Sequence, residues 1–140
     1  MTRKQSRDNA FKIVFSLYAN GEPDFEEPFD CEDGTFLEQD DFCKSIVSAV
    51  TENIEKIDEI IAARLSKGWT VARLPKTSLA IMRMSIAQLV YMQDIPAGVV
   101  INEGVELSKH YGDDNDYKFV NGALGAYVRS DEYKQLVENK

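Results

Sequence analysis

Residues 99–128 constrain the fold more than any other part of the chain. They read V-V-I-N-E-G-V-E-L-S-K-H-Y-G, then D-D-N-D, then Y-K-F-V-N-G-A-L-G-A-Y-V. Val100, Gly104, Leu107 and Tyr111 recur at i, i+4, i+7 and i+11, which is one face of an α-helix. Gly112 stands where a glycine closes such a helix. Asn115 or Asp116 can cap a second helix, whose positive N-terminal end suits the local carboxylates. Val120, Leu124, Tyr127 and Val128 form the apolar face of that second helix. Gly122 and Gly125 each cost about 1 kcal/mol against alanine in a helix, which predicts close approach of a neighbouring backbone there. Asn102 and Asn121 have two readings. They are buried amides bonding nearby backbone, or Asn121 helps to set up a ligand surface at the helix start.

The rest of the chain repeats the helical period. Residues 3–20 carry Ala10, Phe11, Val14, Phe15 and Tyr18 at helical spacing, and Asn20-Gly21 with Pro23 ends the element. From about Asp41 to Leu65, apolar residues run from Phe42 and Ile46 through Ile54 to Leu65. Asp40 or Asp41 caps the start, Lys67-Gly68 closes the end, and a break near Asn53 fits so long a pattern. Residues 69–74 form a connector, with Thr70 able to cap a short turn that Pro75 stops. Thr77 or Ser78 opens a helix to about Met92. Residues 130–140 can add a short helix or fray. No alternation suited to strands is present. The expectation is an all-α fold, a bundle of six or seven helices. It is read as one domain over 1–140, with an N-terminal helical part, 1–68, and a C-terminal helical part, 69–140.

Charge enters the argument through its distribution. The 140 residues carry a formal net charge of −8. Ten acids and no Lys or Arg lie in residues 22–41, and the remainder holds 14 acids against 16 bases. In residues 1–12, Arg3, Lys4, Arg7 and Lys12 face only Asp8. The net charge therefore does not exclude a polyanionic ligand. The basic residues of the first helix read either as solvated surface or as a phosphate-contacting patch. The segment 21–41 reads as a solvated loop with a short helix near residues 35–39. Arg83, flanked by apolar residues, is expected to pair with Glu103.

Other chemistries are poorly supported. No run of about 18 apolar residues suggests a membrane span. The basic N-terminus is not followed by the apolar region of a secretory signal. Two cysteines, Cys31 and Cys43, point to a reducing cytoplasm rather than a disulfide framework. Cys31 has no histidine or spaced ligand pair near it, so neither a metal nor a cofactor is expected. The single histidine, His110, has no nucleophile beside it, and an enzyme is not expected.

Two segments carry a family resemblance. I-N-E-G-V-E-L-S-K-H-Y-G followed by K-F-V-N-G-A-L-G resembles the signature of the NusB family of bacterial transcription antitermination factors. That pattern runs I-N-E-x-V-E-L-A-K-x-[FY]-G, then K-F-V-N-G-[VI]-L. W-T-V-A-R-L and S-L-A-I-M-R-M-S-I-A-Q-L resemble further family segments, with Gln88 where glutamate is usual and Gly104 where alanine is usual. R-D-N-A-F-K-I-V-F resembles the opening helix, the match being close over 69–128 and loose over the first 18 residues.

The resemblance implies a helical, cytoplasmic RNA-binding protein. It would pair with NusE, a ribosomal protein of the small subunit, and bind the boxA element of ribosomal RNA leaders. With other Nus factors on RNA polymerase it would suppress premature termination. Under this reading Arg3, Lys4 and Arg7 contact phosphate, and Asn115, Lys118 and Phe119 contact single-stranded bases. Phe119 reads equally as a core residue. Phe15, Tyr18 and Ser78 match positions on the family's partner-binding face. The alternative is a protein-interaction scaffold without RNA specificity of its own. The helical domain also resembles the N-terminal domain of certain ribosomal RNA cytosine methyltransferases, but no βαβ pattern or methyl-donor loop is present for that chemistry.

Overall fold

The helix over residues 76–91 explains the architecture. Between Ser78 and Leu89 its sequence is apolar or small almost all round, with Ala80, Ile81, Met82, Met84, Ser85, Ile86, Ala87 and Leu89 all buried. A helix with no wettable face must sit inside a ring of others. The computed structural model of the protein describes residues 1–19 and 38–138. Among these residues the chain is all-α, with seven α-helices in order. They are α1 (Arg3–Tyr18), α2 (Asp41–Glu52), α3 (Ile54–Ala62), α4 (Lys76–Tyr91), α5 (Ala97–Tyr111), α6 (Asp116–Val128) and α7 (Asp131–Glu138). α4 packs against α1, α2, α3, α5 and α6. α5 and α6 lie together, α1 lies along α2, and α7 caps α6.

Local chemistry sets the helix ends. Thr2 and Gln5 form a reciprocal cap on α1, with Gln5 N donating to Thr2 Oγ1 at 3.1 Å and Thr2 N to Gln5 Oε1 at 2.9 Å. Asp40 caps α2 by accepting from Cys43 N at 2.9 Å. The long pattern after Asp41 breaks at Asn53, whose backbone leaves the helical region (φ −130°, ψ 24°) and whose Nδ2 donates to Ala49 O at 2.9 Å. The break divides the expected long helix into α2 and α3, and α3 ends at Ala62 rather than near Leu65. Gly68 supplies the positive φ of the turn beyond it, 91°. Val71–Arg73 is a single 3₁₀ turn, and Thr70 gives it no side-chain cap. α4 starts at Lys76, directly after Pro75 and one or two residues before the expected Thr77 or Ser78.

Two expectations for α5 and α6 are corrected and one is refined. The close approach occurs at Gly104, where an added Cβ would stand 2.9 Å from Ser85 Oγ and 3.4 Å from Leu124 Cδ1. Gly122 faces open space, and Gly125 meets only the Arg129 side chain. Gly112 closes α5 as expected, but with extended backbone (φ −94°, ψ −178°) and its N–H on Ser108 O rather than in a left-handed cap. A side chain there would strike Ser108 O at 2.8 Å. Asn102 and Asn121 are exposed, not buried amides. Of the loop expected over 21–41, with a short helix near 35–39, residues 38–40 carry no helix and Asp41 opens α2, while residues 21–37, the chain end at Asn20-Gly21 and Cys31 lie outside the described residues.

Candidate nucleic-acid interface

The basic start of α1 is built into the α1–α2 junction. Ser6 is buried, and its Oγ donates to Asp40 Oδ2 at 2.6 Å. Asp40 thus caps α2 and holds α1 at once. These two hydrogen bonds, Ser6 first, keep its carboxyl below the usual aspartate range. The junction sets Phe42, in the first turn of α2, against two arginines. Arg3 Cζ lies 4.1 Å from the ring centroid and Arg7 Cζ 5.1 Å from it.

Arg3 and Lys4 are exposed. Arg7 is not the solvated residue its sequence position suggests, being 5 % exposed. Its Nε donates to Gln88 Oε1 at 3.1 Å, and Gln88 Nε2 donates onward to Met84 O at 2.9 Å. Burial lowers the Arg7 pKa from its ordinary value, against the opposing pull of Glu103. Arg7 is therefore a buried link between α1 and α4. Gln88 meets it as a neutral acceptor.

Beside this junction an open groove of about 680 Å³ runs between α1 and α5. Lys4 and Arg7 line it from α1, and Glu103, Glu106 and His110 line it from α5. At its far end Tyr111 donates a hydrogen bond to Asp8 and stacks on Phe11 with centroids 4.6 Å apart. Burial first, then Asp8, raises the Tyr111 pKa, so the phenol stays a donor at neutral pH. Lys12 pairs with the same Asp8 at 3.3 Å.

The turn into α6 follows directly. Asp116 Oδ2 accepts from Asp113 N at 2.9 Å, and Asn115 makes no side-chain cap. Asn115 and Lys118 are exposed, and among the described residues their side chains make no hydrogen bond, while Phe119 is partly buried against the core. Tyr111 ties this end of α5 to α1, but Asn115, Lys118 and Phe119 are not among the groove-lining residues. The expected site residues therefore fall in two patches, at the starts of α1 and α6.

Phe15 and Tyr18 lie together on a separate surface with Lys76, Leu79 and Arg83, around a shallow depression. Arg83 Cζ sits 4.7 Å from the Tyr18 ring centroid. Ser78 shares the helix but is 1 % exposed, so it presents no side chain on that surface. The expected Arg83–Glu103 pair is replaced by another. Arg83 grips Asp58 of α3 with two hydrogen bonds, Nε to Oδ1 at 2.9 Å and Nη2 to Oδ2 at 2.8 Å. In the sequence Phe42 reads only as part of the apolar pattern and Asp58 is not singled out at all, because the contacts of both run across a helix crossing.

Among the described residues no group of three or more His, Cys, Asp and Glu side chains could hold a metal ion. No helix there is long and apolar enough to cross a membrane.

Residues 4–129 match the model of the NusB family. The chain is 40 % identical over 127 residues to the transcription antitermination protein NusB of Pediococcus pentosaceus, covering 89 % of this chain and 95 % of that one. It is 34 % identical over 134 residues to the NusB of Lactiplantibacillus plantarum, covering 93 % and 96 %. Its structure resembles that of T. maritima NusB, with a TM-score of 0.79, 28 % identity, and 99 % and 98 % of the two chains covered. It also resembles a chain in a crystal structure of the antitermination factors NusB and NusE in complex with dsRNA, with a TM-score of 0.71, 28 % identity, and 95 % and 96 % covered. The chain belongs to the NusB family, a non-enzymatic family of transcription antitermination factors.

Proposed function

We propose that this protein binds single-stranded boxA RNA of ribosomal RNA leaders in the cytoplasm, together with the small-subunit ribosomal protein NusE. The bound complex joins other Nus factors on RNA polymerase and prevents premature termination. The observation that carries this reading is the exposed basic start of α1, held rigid by the Ser6–Asp40 and Arg7–Gln88 hydrogen bonds in an otherwise acidic chain. Arg3 and Lys4 contact phosphates there, and Arg7 holds the helix that presents them. Asn115 and Lys118 offer side-chain donors to unstacked bases, and the partly buried Phe119 offers a ring edge. Phe15 and Tyr18 form the surface for NusE, while Ser78 is buried in α4 and takes no direct part. The solved complex of NusB and NusE with dsRNA supports NusE and RNA as partners, at that coarser level.

The test is a fluorescence anisotropy titration of boxA RNA and a scrambled control, with and without NusE, at two salt concentrations. Preferential boxA binding that NusE strengthens is expected. Equal weak binding to both RNAs, unchanged by NusE, would leave an interaction scaffold without RNA specificity.

A further inference from the structure

We propose that Phe42 is a positioning residue for the phosphate contact made by Arg3. The inference rests on the RNA-binding reading above and names a part of that site which carries no charge.

Arg3 stands on the exposed first turn of α1, where a long side chain samples many rotamers. Freezing such a side chain on a ligand costs affinity, and a cation already held in place loses less. The Phe42 ring supplies that restraint at 4.1 Å. A ring contact uses none of the five guanidinium N–H donors, so all remain available to a phosphate. The ring is itself held. Arg7 approaches it from the next turn of α1 and is anchored by Gln88, while Asp40, two residues before Phe42, bonds Ser6 on α1. Arg3, Arg7 and Phe42 together line one open groove, whose wall also carries Asp41, Glu52 and Asp94.

The prediction separates position from charge. For single-stranded RNA, each lost phosphate contact flattens the slope of log affinity against log salt by about 0.7. Arg3→Gln removes such a contact. Phe42→Leu removes no charge, yet it is expected to flatten the slope in the same direction and weaken binding about two- to fivefold, the range of one ring–cation contact. The double variant is expected to bind no worse than Arg3→Gln alone. Phe42→Tyr keeps the ring and is expected to keep the wild-type slope, which guards against a general loss of fold. A ring-current shift of the Arg3 side-chain protons in the free protein, lost in Phe42→Leu, reports the contact without RNA.

Wild-type RNA binding with an unchanged slope in Phe42→Leu overturns the proposal. So do multiplying effects in the double variant, or no ring-current shift in the wild type. Wild-type protein that binds no RNA overturns the RNA reading itself, and this proposal with it.

Discussion

Replacing Asp58 with alanine tests the packing of α3 on α4 where charge matters most. Arg83 keeps 11 % of its side chain exposed and Asp58 28 %, so the pair is mostly withdrawn from water. Breaking a fully buried pair costs about 3–5 kcal/mol, because the remaining charge is stranded. Partial exposure of Asp58 lets water reach Arg83 once the carboxylate is gone, and exposed pairs are worth only about 0–1 kcal/mol. An intermediate cost of about 2 kcal/mol follows. Urea unfolding followed by circular dichroism measures it, with an unchanged m-value showing that the loss is one of stability. Glu103→Ala is the control, since Glu103 makes no ion pair with Arg83. It is expected to cost under about 1 kcal/mol. A loss below about 0.5 kcal/mol for Asp58→Ala, the range of an ordinary surface change, would refute the reasoning. So would a larger loss for Glu103→Ala.

Three further predictions concern other parts of the fold. Gly104→Val sets a branched side chain where even a Cβ stands 2.9 Å from Ser85 Oγ, and should lower stability by about 1–3 kcal/mol in the same urea assay. Asp40 has a folded pKa below its ordinary value, so its stabilisation is present above the ordinary aspartate range and is lost as pH falls through the folded pKa. Asp40→Asn keeps a capping oxygen but does not titrate, and should flatten the acid limb of a stability–pH profile. Cys43 is buried, and burial first, then Asp40, pushes its thiol up to about 11. In a Cys31→Ser background its alkylation at neutral pH should proceed only at the rate of unfolding, as shown by mass spectrometry across a urea series.

The helices were legible because their signal is local. Apolar spacing marks α1 to α6, while the last helix stays open between a short helix and fraying, and the length of the pattern suggests the break near Asn53. That α4 is central was not read from the sequence, whose strongest constraint lies in residues 99–128, although residues 78–89 of α4 leave almost no face for water. The interactions between helices were less legible. Arg83 announced itself as a charge among apolar neighbours, but Asp58 and Glu103 both lie on helices packed against α4, and only the α3–α4 crossing chooses between them. Arg7 had the spacing of a surface base. Its burial depends on α4 bringing Gln88 to it from 81 residues away. Gly122 and Gly125 had the same helix cost as Gly104, yet only Gly104 is pressed closely by side chains of neighbouring helices, Ser85 of α4 and Leu124 and Val120 of α6. The site shows the same division. The cations at the start of α1 were visible as composition, whereas the ring that holds Arg3 was not.

The measurement that most directly tests the central claim is an amide chemical-shift titration of the isotope-labelled protein with boxA RNA. The account predicts shifts concentrated at Arg3, Lys4 and Phe42, with a second group at Asn115, Lys118 and Phe119. Little change is expected around the exposed Trp69 at the other connector. Shifts confined to the connector, or spread evenly over the surface with none at the start of α1, would contradict it.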